Sequence, residues 1–146
     1  MRSSTGAGVY LQASSAVLTS STISGNISST AYGTRAGGVA SFQSAALPTT
    51  AALRNCTISD NVGIGVFGFG DGVGPVALEH CTISGNTRRG IENYFYSSTT
   101  MQIGNSIVAE NTYPTVLGDQ DLSGNFHSLG HNLIGDFTGS TGFTNG

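Results

Sequence analysis

Glu110 and Asp136 each close a short aliphatic stretch, Ile107-Val108-Ala109-Glu110 and Leu133-Ile134-Gly135-Asp136. If the interval between them is one turn of a repeating chain, the two carboxyl groups sit about 5 Å from each other. Two carboxylates that close raise one another's proton affinity, and such a pair could act as acid and nucleophile on a glycosidic bond. The same hard oxygens, with Asp60 in the equivalent position of an earlier repeat, suit Ca2+, and no other cofactor is called for. The plain alternative is that Asp60, Glu110 and Asp136 are solvated turn carboxylates. A second cluster, Arg88, Arg89 and Glu92 followed by Tyr94, Phe95 and Tyr96, combines an arginine pair with rings. It could grip an anionic sugar while an aromatic face stacks on the ring, or it could be a solvated loop. His80 and His131 fall two repeats apart. His127 and His131 form an H-x3-H pair that only a helix would bring to one metal, so zinc is not expected. No serine sits in a G-x-S-x-G elbow.

What positions these residues is a repeat. Thr22-Ile23-Ser24-Gly25-Asn26 returns as Thr57-Ile58-Ser59-Asp60-Asn61 and Thr82-Ile83-Ser84-Gly85-Asn86, then loosens to Ile107-Val108-Ala109-Glu110-Asn111. The central aliphatics Ile23, Ile58, Ile83, Val108 and Ile134 follow one another at near-equal intervals, apart from a longer first step from Ile23 to Ile58. Short β-favouring pieces recurring at this interval between glycines and asparagines predict a stacked β-solenoid. An earlier strand signal, glycine then a β-branched residue, precedes each motif at Gly8-Val9, Gly38-Val39, Gly63-Ile64 and Gly90-Ile91. A further element is expected to begin five positions before each centre, at Leu18, Leu53, Leu78, Ile103 and Leu129. This reads as two short strands and a corner per coil, joined by a loop of variable length. About five coils at about 4.8 Å each give a cylinder on the order of 20 to 25 Å long.

Alternation along a strand assigns the motif's side chains. Ile23, Ile58, Ile83 and Val108 form an inward ladder while Thr22, Thr57 and Thr82 face water. Two positions before the aliphatic the chain faces inward again, which stacks Cys56 on Cys81. They are either two buried thiols or a disulfide, and parallel stacking holds their Cβ atoms wider apart than a disulfide prefers. Asn26, Asn61, Asn86 and Asn111 form one row at the strand end, where stacked carboxamides can tie coil to coil. Gly25 and Gly85 supply the positive φ of a sharp corner. Arg54 and Glu79 share a register as a surface ion pair.

Charged residues make up only 9% of the chain and lysine is absent, so the surface is covered by Ser, Thr, Asn and Gly. With a net charge of −3 and one adjacent arginine pair, the chain lacks the basic patch that nucleic acid requires. Apolar runs are far shorter than the roughly 20 residues of a membrane span, and no export signal follows Met1. One period runs throughout, so residues 1–146 are read as one domain.

The copies of the motif, Cys81-Thr82-Ile83-Ser84-Gly85-Asn86 above all, resemble right-handed parallel β-helix repeats of bacterial surface proteins, including polymorphic outer-membrane protein repeats. Asn105 to Asn111, Asp121 to Gly124 and Leu129 to Asp136 resemble the end of such regions in secreted, anchor-bearing proteins. The resemblance implies an all-β, right-handed parallel β-helix (solenoid) of about five coils, with roughly 25 residues per coil. It also implies a bacterial extracellular or cell-surface location, and a segment or minimal version of a larger repeat protein. Pectate lyases and polygalacturonases share that fold, but their Asp-rich catalytic clusters have no counterpart here. The expected function is therefore a surface module for display, adhesion or contact with a polysaccharide or cell-surface glycan. The alternative is a small carbohydrate-active or ester-cleaving hydrolase or lyase. Exposed coil ends predict a homo-oligomer.

Overall fold

The computed structural model describes residues 7–28, 35–44, 46, 49–71, 74–95, 101–112 and 121–143. Among these residues every strand pairing is parallel and there is no helix. Each full coil holds three strands rather than two. The first coil is β1 (Val9–Gln12), β2 (Ser15–Thr19) and β3 (Thr22–Ser24), and the second is β4 (Ala36–Gln43), β5 (Thr50–Arg54) and β6 (Thr57–Ser59). The third is β7 (Ile64–Gly70), β8 (Val76–Glu79) and β9 (Thr82–Ser84), and the fourth is β10 (Ile91–Phe95), β11 (Met101–Gly104) and β12 (Ile107–Ala109). In the fifth, β13 (Leu122–Ser128) and β14 (Leu133–Ile134) complete the turn, and β15 (Gly139–Thr141) opens a sixth.

Stacking gives three faces: β1-β4-β7-β10-β13, β2-β5-β8-β11-β13 and β3-β6-β9-β12-β14. The first two join because β13 continues through a corner without a break. Its Leu122 and Ser123 pair with β10, while Phe126 to Ser128 pair with β11. Inward rows fill the cylinder: Val39, Val66, Ile91 and Leu122 from the first face, Leu53, Leu78 and Ile103 from the second, and Ile58, Ile83 and Val108 from the third. All of these are buried.

The row at Leu53 closes its strands instead of starting them, since β2, β5, β8 and β11 begin two to three positions earlier. Leu129 does not belong to that row. Ile103 pairs with Ser128, and Leu129 is 44% exposed. The extra residue of the fifth coil is taken up between Ser128 and Leu133, where Gly130 adopts a φ of 91°.

Two rows of left-handed residues turn the chain. Ser20, Asn55, His80, Asn105 and His131 have φ between 49° and 56° at the corner between the second and third faces. Gly25, Asp60, Gly85 and Glu110 have φ of 68°, 55°, 66° and 61° just after the third face. Glycine adopts this conformation freely, and Asn, Asp and His are the side chains that tolerate it best. Coil-to-coil bonding persists through the corner: the Asn55 N–H donates to Glu79 O at 3.1 Å and that of His80 to Gly104 O at 3.1 Å.

The asparagine row is a continuous hydrogen-bonded chain. Asn26 Nδ2 donates to Asn61 Oδ1 at 2.9 Å, Asn61 to Asn86 at 2.9 Å, and Asn86 to Asn111 at 2.8 Å. The Nδ2 groups of Asn61, Asn86 and Asn111 also donate to the carbonyls of Ile23, Ile58 and Ile83. The chain ends on Asp121, whose Oδ1 accepts from Asn111 Nδ2 at 2.8 Å and from the Asn111 N–H at 2.9 Å. The other carboxylate oxygen, Oδ2, accepts from the Asp136 N–H at 2.9 Å.

The end expected to lie open is partly covered after the fifth coil. There β15 pairs with β13, and Phe137 and Phe143 pack against the core, with the Phe143 ring 5.8 Å from that of Phe126.

Candidate functional site on the first sheet face

Strand alternation turns every second residue of the first face outward, and there an apolar surface continues outside the cylinder. Ala36, Ala40, Ile64 and Phe67 form a second buried cluster, with Tyr10 and Phe69 packed against it. Register aligns Gln12 with Phe42, Phe42 with Phe69, and Phe69 with Tyr94. Ring centroids are 4.6 Å apart for Phe42 and Phe69 and 5.8 Å for Phe69 and Tyr94, whose planes differ by only 5°. Tyr10 flanks the start of the row, 6.2 Å from Phe42, with its hydroxyl donating to Gln12 at 3.2 Å. Burial pushes the Tyr10 phenol's pKa above its ordinary value. Tyr94 is 51% exposed. Pairs of this geometry add roughly 0.5–1.5 kcal/mol beyond area burial.

Beside these rings Arg89 Nη1 donates to Glu92 Oε2 at 2.9 Å, with side chains only 16% and 9% exposed. Glu92 lies on β10 in register with Phe67, not in the preceding loop. The expected exposed arginine pair is thus altered. Arg88 and Arg89 are both partly buried, and Arg89 is committed to neutralising a buried carboxylate, which burial without a partner would make costly. Tyr96 lies outside the described residues, and Phe95 is described only in its backbone.

The acidic candidates differ in their surroundings. Asp60 and Glu110 are exposed members of the left-handed corner row. The β12–β14 register, Val108 opposite Ile134, extends to bring Asp136 alongside Glu110. Asp136 lacks the left-handed backbone, however, and its Oδ1 accepts from the Thr138 N–H at 2.9 Å, closing a local turn. Among the described residues no three His, Cys, Asp or Glu side chains converge to hold a metal ion. His80 and His131 are corner residues, and His127 sits outward on β13.

Cys56 and Cys81 are free, buried thiols on neighbouring coils. Cys81 Sγ donates to Leu53 O at 3.4 Å and Glu79 O at 3.3 Å, and burial pushes its thiol above the ordinary value. Arg54 and Glu79 pair at 3.3 Å on the surface. No described helix is long and apolar enough to cross a membrane.

Sequence reading identified Tyr94 but missed the row that holds it, and it named Asp121 in a segment of the resemblance without foreseeing its place in the asparagine row. The signal for Asp121 was available: the asparagine row, carried one coil further, lands on Phe137, so the last carboxamide needs an acceptor from elsewhere. No curated protein and no solved structure matches the chain. A family model described as right handed beta helix region matches residues 1–136, nearly the full span of coils just described, and the chain belongs to that family.

Proposed function

We propose that this chain is a cell-surface β-helix module that contacts a neutral glycan on its first sheet face, at Tyr94. The observation that carries this reading is a half-exposed ring stacked on Phe69 in an aromatic row. A tyrosine offers large apolar contact area to the C–H side of a sugar with few rotatable bonds to order, and its hydroxyl can add a polar contact. The neighbouring charges favour an uncharged ligand, because Arg89 and Glu92 already satisfy each other at 2.9 Å. A surface location agrees with a chain of few charges covered by Ser, Thr, Asn and Gly. Hydrolysis at Glu110 and Asp136 gains no support, since Asp136 is engaged by Thr138 and Glu110 stands at an exposed corner.

Titration of the isotope-labelled chain with a panel of neutral oligosaccharides tests the reading. Tyr94 ring resonances should shift with ligand, and Tyr94→Ala should weaken binding about tenfold, or about 1.4 kcal/mol. Raising the salt concentration should leave the affinity nearly unchanged, because no ion pair to the ligand is screened. A panel that leaves the Tyr94 resonances unmoved at millimolar concentration would remove the proposal.

A further inference from the structure

We infer that the outer surface of the third face binds ice, through two ranks of outward hydroxyls. The inference is independent of Tyr94, which lies on the first face. Strand alternation turns the residues on either side of the buried Ile23, Ile58 and Ile83 outward. Register then stacks Thr22 on Thr57 on Thr82, and Ser24 on Ser59 on Ser84, with no bulge in either pairing. Within a rank the side chains repeat at the coil spacing, about 4.8 Å, and the ranks are two residues of strand apart, about 6.6 Å. Together they form a rectangular array of six hydroxyls.

Among the described residues none of these six hydroxyls has a hydrogen-bond partner. Hydroxyls elsewhere do: Ser21 Oγ donates to Thr19 O at 2.9 Å, Thr49 Oγ1 to Phe42 O at 2.7 Å and Ser106 Oγ to Gly104 O at 2.8 Å. The array is fixed along both borders. Left-handed residues of near-equal φ precede it at Ser20, Asn55 and His80 and follow it at Gly25, Asp60 and Gly85. Just beyond, the asparagine chain ties each strand end to the next at 2.9 Å. Further along the axis the threonine rank continues as Ile107 and Leu133, 43% and 63% exposed, and the serine rank as Ala109. The outward positions of β3, β6, β9, β12 and β14 carry no charge, and Asp60 and Glu110 stand in the corner row beside them.

These features select the ligand. An open sheet face encloses no small molecule, so a partner that engages every hydroxyl at once must be extended and must repeat in two directions. An uncharged face is complementary to an uncharged partner. Hexagonal ice meets both conditions, because its prism face repeats water oxygens at nearly these two perpendicular intervals. Threonine suits the task, since its branched side chain has few rotamers and presents the hydroxyl already ordered. Waters bridging such fixed hydroxyls to the crystal take lattice positions with little freedom left to lose. The exposed aliphatic side chains of Ile107 and Leu133 extend the contact without ions, whose own hydration shells fit no lattice.

Growth of a single ice crystal in a solution of the full chain, followed in a nanolitre osmometer, tests this. The expected result is a faceted crystal whose growth stops over a measurable interval below the melting point. Thr57→Lys, at the centre of the array, should abolish the arrest. Gln102→Lys, which sets the same charge on an outward position of the second face, should leave it unchanged. Thermal melts followed by circular dichroism compare the folding of the variants. Should Thr57→Lys melt early, Ser24→Lys, at an exposed position of the first coil, carries the same test. Partition into slowly grown ice gives a second readout, with the parent entering the ice and the array variant left in the liquid. A parent chain that leaves crystals unfaceted and is excluded from ice overturns the inference, as does arrest that survives the lysine at the array. Adsorption to crystalline chitin or cellulose that Thr57→Lys removes, with no effect on ice, would assign the array to a polysaccharide and overturn it equally.

Discussion

Asp121 is an acid whose carboxylate is built into the asparagine row, and its role is to stop a chain of amides. Each ladder asparagine donates to the next, so the last needs an acceptor that demands no donor in return, which a carboxylate provides. It is buried and receives three N–H groups, two from Asn111 and one from Asp136. Asp121→Ala strands those donors, and with each buried unpaired group costing about 1–3 kcal/mol, partly relieved by water, we expect a loss of about 2–4 kcal/mol. Asp121→Asn should cost less, because it keeps the Oδ1 acceptor while setting an N–H against the Asp136 N–H. Urea denaturation of the three proteins measures the order, and an alanine variant as stable as the parent would contradict it.

At the scale of the element, the corners explain why the sequence invited a catalytic reading. Asp60, Glu110, His80 and His131 are residue types that perform acid, base and metal chemistry, and most of them also tolerate a left-handed backbone, where the structure puts them. Spacing alone cannot separate these two causes. Glutamate is a poor fit for such a corner, so Glu110→Gly should relieve about 1–2 kcal/mol of backbone strain. The added freedom of the unfolded glycine returns about 0.4–1 kcal/mol of that. A thermal melt should show Glu110→Gly as stable as the parent or slightly more so, and clear destabilisation would mean that the carboxylate makes a stabilising contact. The inward rows, by contrast, were legible because Ile58, Ile83 and Val108 recur at one constant interval and their neighbours alternate. The aromatic row was not. Phe42 stands two positions further ahead of Ile58 than Phe69 stands ahead of Ile83 or Tyr94 ahead of Val108, because loops between the first and second faces differ in length. A register set by those loops appears only when strands are paired. The corner crossed without a break by β13 was hidden likewise, since Gly124, whose φ of 106° falls there, is followed by no loop.

For the whole molecule, stability is approximately a sum over coils and the contacts between neighbours. The middle coils are closed on both sides, and Leu53, Leu78 and Ile103 are fully buried there, whereas Val9, Ala16 and Leu18 of the first coil are only partly covered. The asparagine chain adds something a hydrophobic core lacks, a sense of direction. Each carboxamide donates towards Asp121, so the row has a tail that can lengthen and an acceptor that closes it. Such a body grows from within. Duplicating residues 65–89 and inserting the copy after Arg89 joins Arg89 to Gly65 as it now meets Gly90, and it adds one asparagine to the chain upstream of its end. The enlarged protein should fold, with a higher urea midpoint and a steeper transition than the parent. An insertion that aggregates or lowers the midpoint would argue against interchangeable coils. The same amide polarity that fastens one coil to the next thus gives this chain a simple route to variation in length: a new turn that carries the asparagine is admitted anywhere before the carboxylate.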